Sequence, residues 1–385
     1  MKVLWLASWY PNKCEPVNGD FVQRHAQAVA ALLPITVIHV VQLGPYKETV
    51  YSRTENKDGN LQEFIYTFPF RKTGIGLLDK VLYNQTYIRF YTKILETYIQ
   101  QNGLPDIVHV HVPMKAGLAA IQLKKKYKIP FIVSEQASYY EPAAPDTFSK
   151  RSWFFRKNTA KIFQLATITT NVSDTIGKKI QQMFQLNAVV PIHNVVNTNV
   201  FYSKPKTSHS IFRWLHVSTL GEQKNIHGML QAFQILNKQV SNNWHLTLVG
   251  PLYKQYKQLI IDFNLIERVT FTGELQHNAV AIAMQNADAF VLFSKHENFP
   301  CVIPEALCCG LPVVAANVGG IAEAIHTNNG VVVNSEDIVM LANALAKIMQ
   351  NSSNFLNETI AKDAQRKYSN TVIGNQFIQL YKKMM

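Results

Sequence analysis

Apolar residues in this chain fall into two alternating patterns. Short, mainly apolar runs, Val3 to Ala7, Ile35 to Val41, Ile107 to His111 and Phe131 to Ser134, read as strands. Among them lie stretches with apolar residues at helical spacing: FVQRHAQAVAALL from Phe21, residues 71–101, GLAAIQLKKKYK from Gly117, and 148–182. Around 196–212 the pattern lapses into a polar, proline-containing segment, which reads as a linker. A second series follows, with strand-like runs at Trp214 to Ser218, His245 to Val249, Val269 to Thr272, Ala289 to Phe293, Pro312 to Ala316 and Gly330 to Val333. Strands alternating with helices predict an α/β protein of two Rossmann-like, doubly wound parallel-sheet domains, 1–195 and 213–365, facing a cleft. The tail, 366–385, is predicted as a helix that packs back on the first domain.

Composition narrows the class. With 385 residues, 47% hydrophobic and 16% charged, the chain has ample core for two domains and too little charge for disorder. Cys14, Cys301, Cys308 and Cys309 are too few and too unevenly spaced for a disulfide framework or a zinc site, which suits a reducing, cytoplasmic setting. The opening MKVLWLASWY reads as a buried strand rather than a cleaved leader, and no apolar run reaches bilayer-spanning length.

The net charge of +13 is uneven: residues 1–190 hold 23 Lys and Arg against 13 Asp and Glu, a net +10, and the remainder holds 15 against 12, a net +3. No helix-turn-helix, zinc-finger or aromatic-flanked RNA motif accompanies it, so nucleic acid is not the expected partner. Lys124, Lys125, Lys126, Lys128, Lys150, Arg151, Arg156, Lys157 and Lys161 lie near Tyr and Phe. They predict a basic face that rests peripherally on an anionic membrane surface.

The chemistry concentrates in SKHENFPCVIPEALCCGLPVVAANVGG, Ser294 to Gly320. Glu297 ends a strand-like run, Pro300 and Pro304 delay the next helix, and Glu305 stands near its start. A carboxylate beside backbone amides suits sugar hydroxyls and phosphate. Gly19, in the loop after the first strand, lets backbone approach a phosphate or an acceptor. There is no Asp-x-Asp pair to hold a divalent metal on a diphosphate, and no G-x-G-x-x-G follows a strand, which excludes the common dinucleotide fingerprint.

The frame E-x-F-P-x-V-x-x-E-A, followed by G-x-P-V-V-A and G-G, resembles the signature of retaining glycosyltransferases of family 4, which have the GT-B fold. LHVSTLGEQKNIHGMLQAF, LTLVGP and RVTFTGEL occupy the order expected of that family. The resemblance implies a metal-independent enzyme without a cofactor, moving a sugar from a nucleoside diphosphate sugar to a saccharide or lipid-linked acceptor. It implies that Glu305 holds the donor ribose and that Glu297 faces the sugar near the reacting carbon. Asn298, Phe299, Cys301 and Val302 would supply amides on either side of Pro300, and Leu275 would lie where the nucleobase packs. The family's diphosphate segment R-x-x-x-x-K has its lysine as Lys224, but Thr219 replaces the arginine. His111, at the end of D-I-V-H-V-H, matches a cleft histidine, and Glu135 with Gln136 matches a Glu-His pair near the acceptor. Two rivals share the donor: a nucleotide-sugar epimerase or hydrolase, and a non-catalytic partner that binds donor only.

Overall fold

Val3–Ala7 is buried at all five positions, and the same holds for Ile107–His111 and Phe131–Glu135. Strands buried on both faces must lie in a sheet covered by helices on each side. In the computed structural model, which describes residues 1–42, 52–70, 72–206, 210–240 and 243–385, the chain forms two units that each solve this problem.

Unit 1 comprises Met1–Tyr140, Asp146–His193 and Asn370–Met385. Its elements run β1 (Val3–Ala7), α1 (Asp20–Ala30), β2 (Ile35–Gln42), β3 (Ser52–Asp58), β4 (Leu61–Phe68), α2 (Gly76–Asn102), β5 (Ile107–His111), α3 (Ala116–Tyr127), β6 (Phe131–Glu135), α4 (Trp153–Leu165), β7 (Ile168–Asn171), α5 (Asp174–Phe184) and β8 (Val190–Pro191). The strand order is β3-β4-β2-β1-β5-β6-β7-β8. All the pairings are parallel except β3 with β4.

Unit 2 comprises Glu141–Pro145 and Asn194–Ser369. It contains β9 (Phe212–Val217), α6 (Ile226–Gln239), β10 (Trp244–Val249), α7 (Lys254–Asp262), β11 (Val269–Gly273), α8 (His277–Asn286), β12 (Ala289–Leu292), α9 (Val302–Cys308), β13 (Val313–Ala316), β14 (Gly330–Val333), α10 (Ile338–Gln350) and α11 (Asn357–Tyr368). Its six parallel strands are ordered β11-β10-β9-β12-β13-β14. The last helix, α12 (Asn370–Lys382), belongs to unit 1, where Ala28 of α1 packs against Gly374 so closely that a Cβ would meet its carbonyl oxygen at 2.6 Å.

Three expectations change. β3, β4 and β7 escape the apolar-run criterion: β3 is exposed along most of its length, and β7 divides the stretch 148–182 into two helices. The segment 196–212 is not a free linker where it is described. Val196 bridges Ser369, Phe201 is fully buried and β9 already starts at Phe212. Residues 207–209 of that segment, and residue 71 at the start of the second predicted helix, lie outside the described residues. The tail, 366–385, starts with the last three residues of α11, breaks at Ser369 and continues as α12.

Candidate functional site

In an open parallel sheet the ligand crevice lies at the carboxyl ends of the strands, where the winding reverses. In unit 2 the chain winds outward through β9, β10 and β11, then returns to β12 and winds the other way, so the reversal lies between β9 and β12. The loops there are 218–225 and 293–301. They carry Lys224 and Glu297, two of the residues singled out by motif.

Both loops are held from beneath. The buried His216 ring contacts the Val291 carbonyl at 2.9 Å through Nδ1 and the Ser218 hydroxyl at 2.7 Å through Nε2. Ser218 accepts from the Leu220 amide at 3.0 Å, and the Tyr256 hydroxyl donates to the Leu220 carbonyl at 2.8 Å. The two loops are then tied to each other: the Lys295 amide donates to the Gln223 carbonyl at 2.8 Å, and Gln223 Nε2 donates to the His296 carbonyl at 2.7 Å. Lys224 Nζ, so positioned, donates to Glu297 Oε1 in an ion pair of two largely buried side chains.

Glu297, Asn298 and Phe299 are buried. Their backbone rests on Gly319, where φ is 57° and a Cβ would collide with the Glu297 carbonyl, so glycine is required there. The Gly320 amide donates to the Asn298 carbonyl at 2.7 Å, and Asn194 Nδ2 donates to the Phe299 carbonyl at 2.6 Å. The G-G of the motif therefore supports the glutamate loop. Pro300, Cys301 and Val302 are half-buried and lead into α9, whose first turn holds Glu305, itself buried. Glu305 Oε1 lies 3.2 Å from His277 Nε2, and the His277 ring meets Phe201 edge-on with centroids 4.7 Å apart. Sequence reasoning missed His277, Gln223 and Asn194, because each acts through a partner at least 28 residues distant. Leu275 is half-buried in the turn after β11, two residues before His277, and Thr219 is exposed. No cation other than Lys224 comes from the segment Thr219 to Lys224. Among the described residues, no three His, Cys, Asp or Glu side chains gather to hold a metal ion.

Unit 1 reverses its winding between β1 and β5, and its residues behave differently. Gly19, buried with φ at 75°, caps α1, and a Cβ there would meet the Trp9 carbonyl carbon at 2.5 Å. His111, the last residue of β5, is fully buried and stacks on Trp5 with centroids 3.9 Å apart. Both of its ring nitrogens lack a hydrogen-bond partner among the described residues. Burial, reinforced by His109 and His25, pushes its pKa well down and keeps the ring neutral. His109, by contrast, is fully bonded, to the Tyr381 hydroxyl at 2.8 Å and to Ser134 Oγ at 2.7 Å. Glu135 is also buried. Its carboxylate accepts from the amides of Gln136 and Ala137 at 2.8 and 2.9 Å and from the hydroxyls of Tyr139 and Tyr140 at 3.0 and 2.7 Å. It thus organises the turn after β6, and its oxygens are already engaged inside unit 1. Gln136 Nε2 lies 3.1 Å from His25 Nδ1.

The expected basic face is two separate groups. Lys124, Lys125, Lys126 and Lys128 sit at the carboxyl end of α3, where Lys124 donates to the Leu165 carbonyl and Lys126 pairs with Glu96, both at 2.7 Å. Lys150, Arg151, Arg156 and Lys157 cluster around the amino end of α4, at the opposite edge of the sheet. Among the described residues no helix is long and apolar enough to cross a membrane.

Residues 25–200 match the family model described as Glycosyltransferase Family 4, and residues 205–367 match Glycosyl transferases group 1. The putative teichuronic acid biosynthesis glycosyltransferase TuaC of Bacillus subtilis is 24% identical over 90% of this chain and 89% of its own length. An uncharacterized glycosyltransferase of Methanocaldococcus jannaschii is 23% identical over 96% and 94%. Among solved structures, sucrose-phosphate synthase from Thermosynechococcus elongatus superposes with a TM-score of 0.74 at 18% identity, covering 100% of this chain and 99% of that one. HepE of Anabaena in complex with UDP gives 0.73 at 18%, with both chains fully covered. These likenesses assign the GT-B fold.

Proposed function

The chain belongs to glycosyltransferase family 4, and on that premise we propose that it transfers a hexosyl unit, with retention and without a metal ion, from a nucleoside diphosphate sugar to a saccharide or lipid-linked saccharide in polysaccharide biosynthesis. The observation that supports this reading is the Lys224–Glu297 pair at the winding reversal of unit 2, with Glu305 in the first turn of the helix that follows the Glu297 loop. Glu305 would accept hydrogen bonds from the donor ribose, beside Leu275 at the base. Lys224 would face the diphosphate, with the amides of Asn298, Phe299, Cys301 and Val302 sharing its charge in place of the cation absent at Thr219.

In the reaction the bond between the anomeric carbon and the diphosphate oxygen breaks, and its electron pair leaves with the diphosphate. An acceptor hydroxyl attacks from the same face, and its proton passes to the departing phosphate. Glu297 would stabilise positive charge developing on the sugar, once the diphosphate draws Lys224 away from it. His111 enters as a neutral ring. A buried imidazole with both nitrogens unsatisfied is costly, and a sugar hydroxyl would complete it.

Thermal unfolding with UDP or GDP tests the donor site. A Tm rise with one of them is expected by mass action, unchanged by EDTA and weakened about 10- to 100-fold in ligand affinity by Glu305→Ala. UDP comes first, since it is bound in the HepE structure. A full shift in Glu305→Ala overturns the ribose assignment, and loss of the shift with EDTA overturns metal independence.

A further inference from the structure

The loops that leave β1 and β5 meet at the winding reversal of unit 1. The Ser8 amide donates to the His111 carbonyl at 2.9 Å, and Ser8 Oγ accepts from the Ala116 amide at 2.9 Å. Lys115, between these anchors at the amino end of α3, therefore stands at the carboxyl edge of the sheet, where a parallel sheet receives its ligand. It lies four residues beyond His111, so their Cα atoms are at most about 14 Å apart.

The Lys115 ammonium rests on an aromatic platform. Its Nζ is 3.7 Å from the ring centroid of Tyr83 and 5.5 Å from that of Tyr87, both on α2. Tyr83 is held in turn by Phe68, at the end of β4, with centroids 5.9 Å apart, and by Phe70 at 5.3 Å. An ammonium has three N–H donors, and a ring face satisfies them only in part. Lys124, Lys206, Lys224 and Lys295 are half-buried as well, and each reaches a carbonyl or carboxylate oxygen. Lys115 reaches none among the described residues. Asp79, one turn before Tyr83, is engaged by Thr73 and Gly74. Burial alone pushes the Lys115 pKa down to about 8, so at neutral pH the amine stays mostly charged.

A half-buried cation without an oxygen partner gains from an arriving anion what its burial removed, because a charge-assisted hydrogen bond is strongest where water is scarce. Either a phosphate or a carboxylate supplies the missing oxygen. We propose that Lys115 is a specificity-determining residue of the acceptor site, its ammonium taking a phosphate or carboxylate group carried by the acceptor saccharide. The proposal rests on the acceptor reading above and adds the charge class of the substrate, an acidic or phosphorylated saccharide in place of a neutral one. A lysine that only clasps α2 to α3 would leave charged and neutral saccharides equal.

The test is a saturation-transfer NMR titration of the full chain with methyl glucuronide, glucose 6-phosphate and methyl glucoside. UDP or GDP is present at saturation, so that the sugar phosphate cannot enter the donor site. The first two probes tell a carboxylate from a phosphate. At least one of them should bind about 10- to 100-fold more tightly than the neutral glucoside, the scale of a hydrogen bond to a charged group. Lys115→Met should abolish that preference, and Lys115→Arg, which keeps the charge, should retain part of it. A second measurement needs no variant to fold: wild-type protein is treated with acetic anhydride and modification is read at Lys115 by mass spectrometry. The preferred probe should protect the amine, and the glucoside should not. Glucoside binding as tight as that of the charged probes overturns the proposal and leaves a saccharide acceptor standing, whereas binding of none of the three overturns both. The proposal also falls if folded Lys115→Met keeps the wild-type preference, or if the charged probes leave labelling of Lys115 unchanged.

Discussion

The two units reverse their winding in the same manner and furnish the reversal in opposite ways. In unit 2 it carries charge: Lys224 pairs with Glu297, and the buried Glu305 has His277 Nε2 at 3.2 Å. In unit 1 it is lined by groups that burial keeps neutral, His25, His109 and His111, and by a carboxylate, Glu135, saturated with donors from its own turn. A charged crevice with paired ions can exchange partners when a diphosphate arrives. A neutral, aromatic one offers shape and single hydrogen bonds, which suits a sugar acceptor better than a phosphate donor.

The contrast breaks first if Glu297 is not a working charge. Glu297→Gln keeps the shape and removes the charge, so turnover should fall on the order of 100-fold. Affinity for nucleoside diphosphate should hold or rise, since Lys224 loses its competitor. Single-turnover rates beside binding isotherms separate the two, and near-normal turnover would return the Lys224–Glu297 pair to a structural role.

A smaller effect, on the order of tenfold in turnover, is expected for His111→Phe, the scale of one lost hydrogen bond. Phenylalanine keeps the ring against Trp5 and removes both nitrogens. Lost turnover with an unchanged Tm marks the nitrogens as functional, whereas full activity marks the residue as core packing.

The smallest effect is one of stability. Burial holds the pKa of His25 and His39 down to about 4, and those of His109 and His111 are also lowered strongly by burial. Between about pH 6.5 and 4 the unfolded chain binds protons that these folded rings refuse, so stability is retained above that window and lost as pH falls through it. Unit 2 has His216 in the same condition, with fewer fully buried rings among its described residues. Hydrogen exchange at pH 5 against pH 7 should therefore show unit 1 losing protection first. Equal loss in both units would mean that the buried histidines do not set acid stability.

What could be read in advance follows from the range of the interactions. Runs such as Val3–Ala7 and the frame from Glu297 to Glu305 are local, so period and spacing revealed the α/β architecture, the second sheet and both glutamates. The exposed β3 had no buried face to generate a pattern, and β7 is only four residues long. The pairing of Lys224 with Glu297, 73 residues apart, and the support of the glutamate loop by Gly319 and Asn194 depend on which strand ends become neighbours. So does the fate of the basic residues. Sequence showed how many there are, but the direction of α3 and α4 sent one group to each edge of the sheet. Helix direction is dictated by strand order, and strand order by burial of the whole sheet, which no single segment of the chain contains.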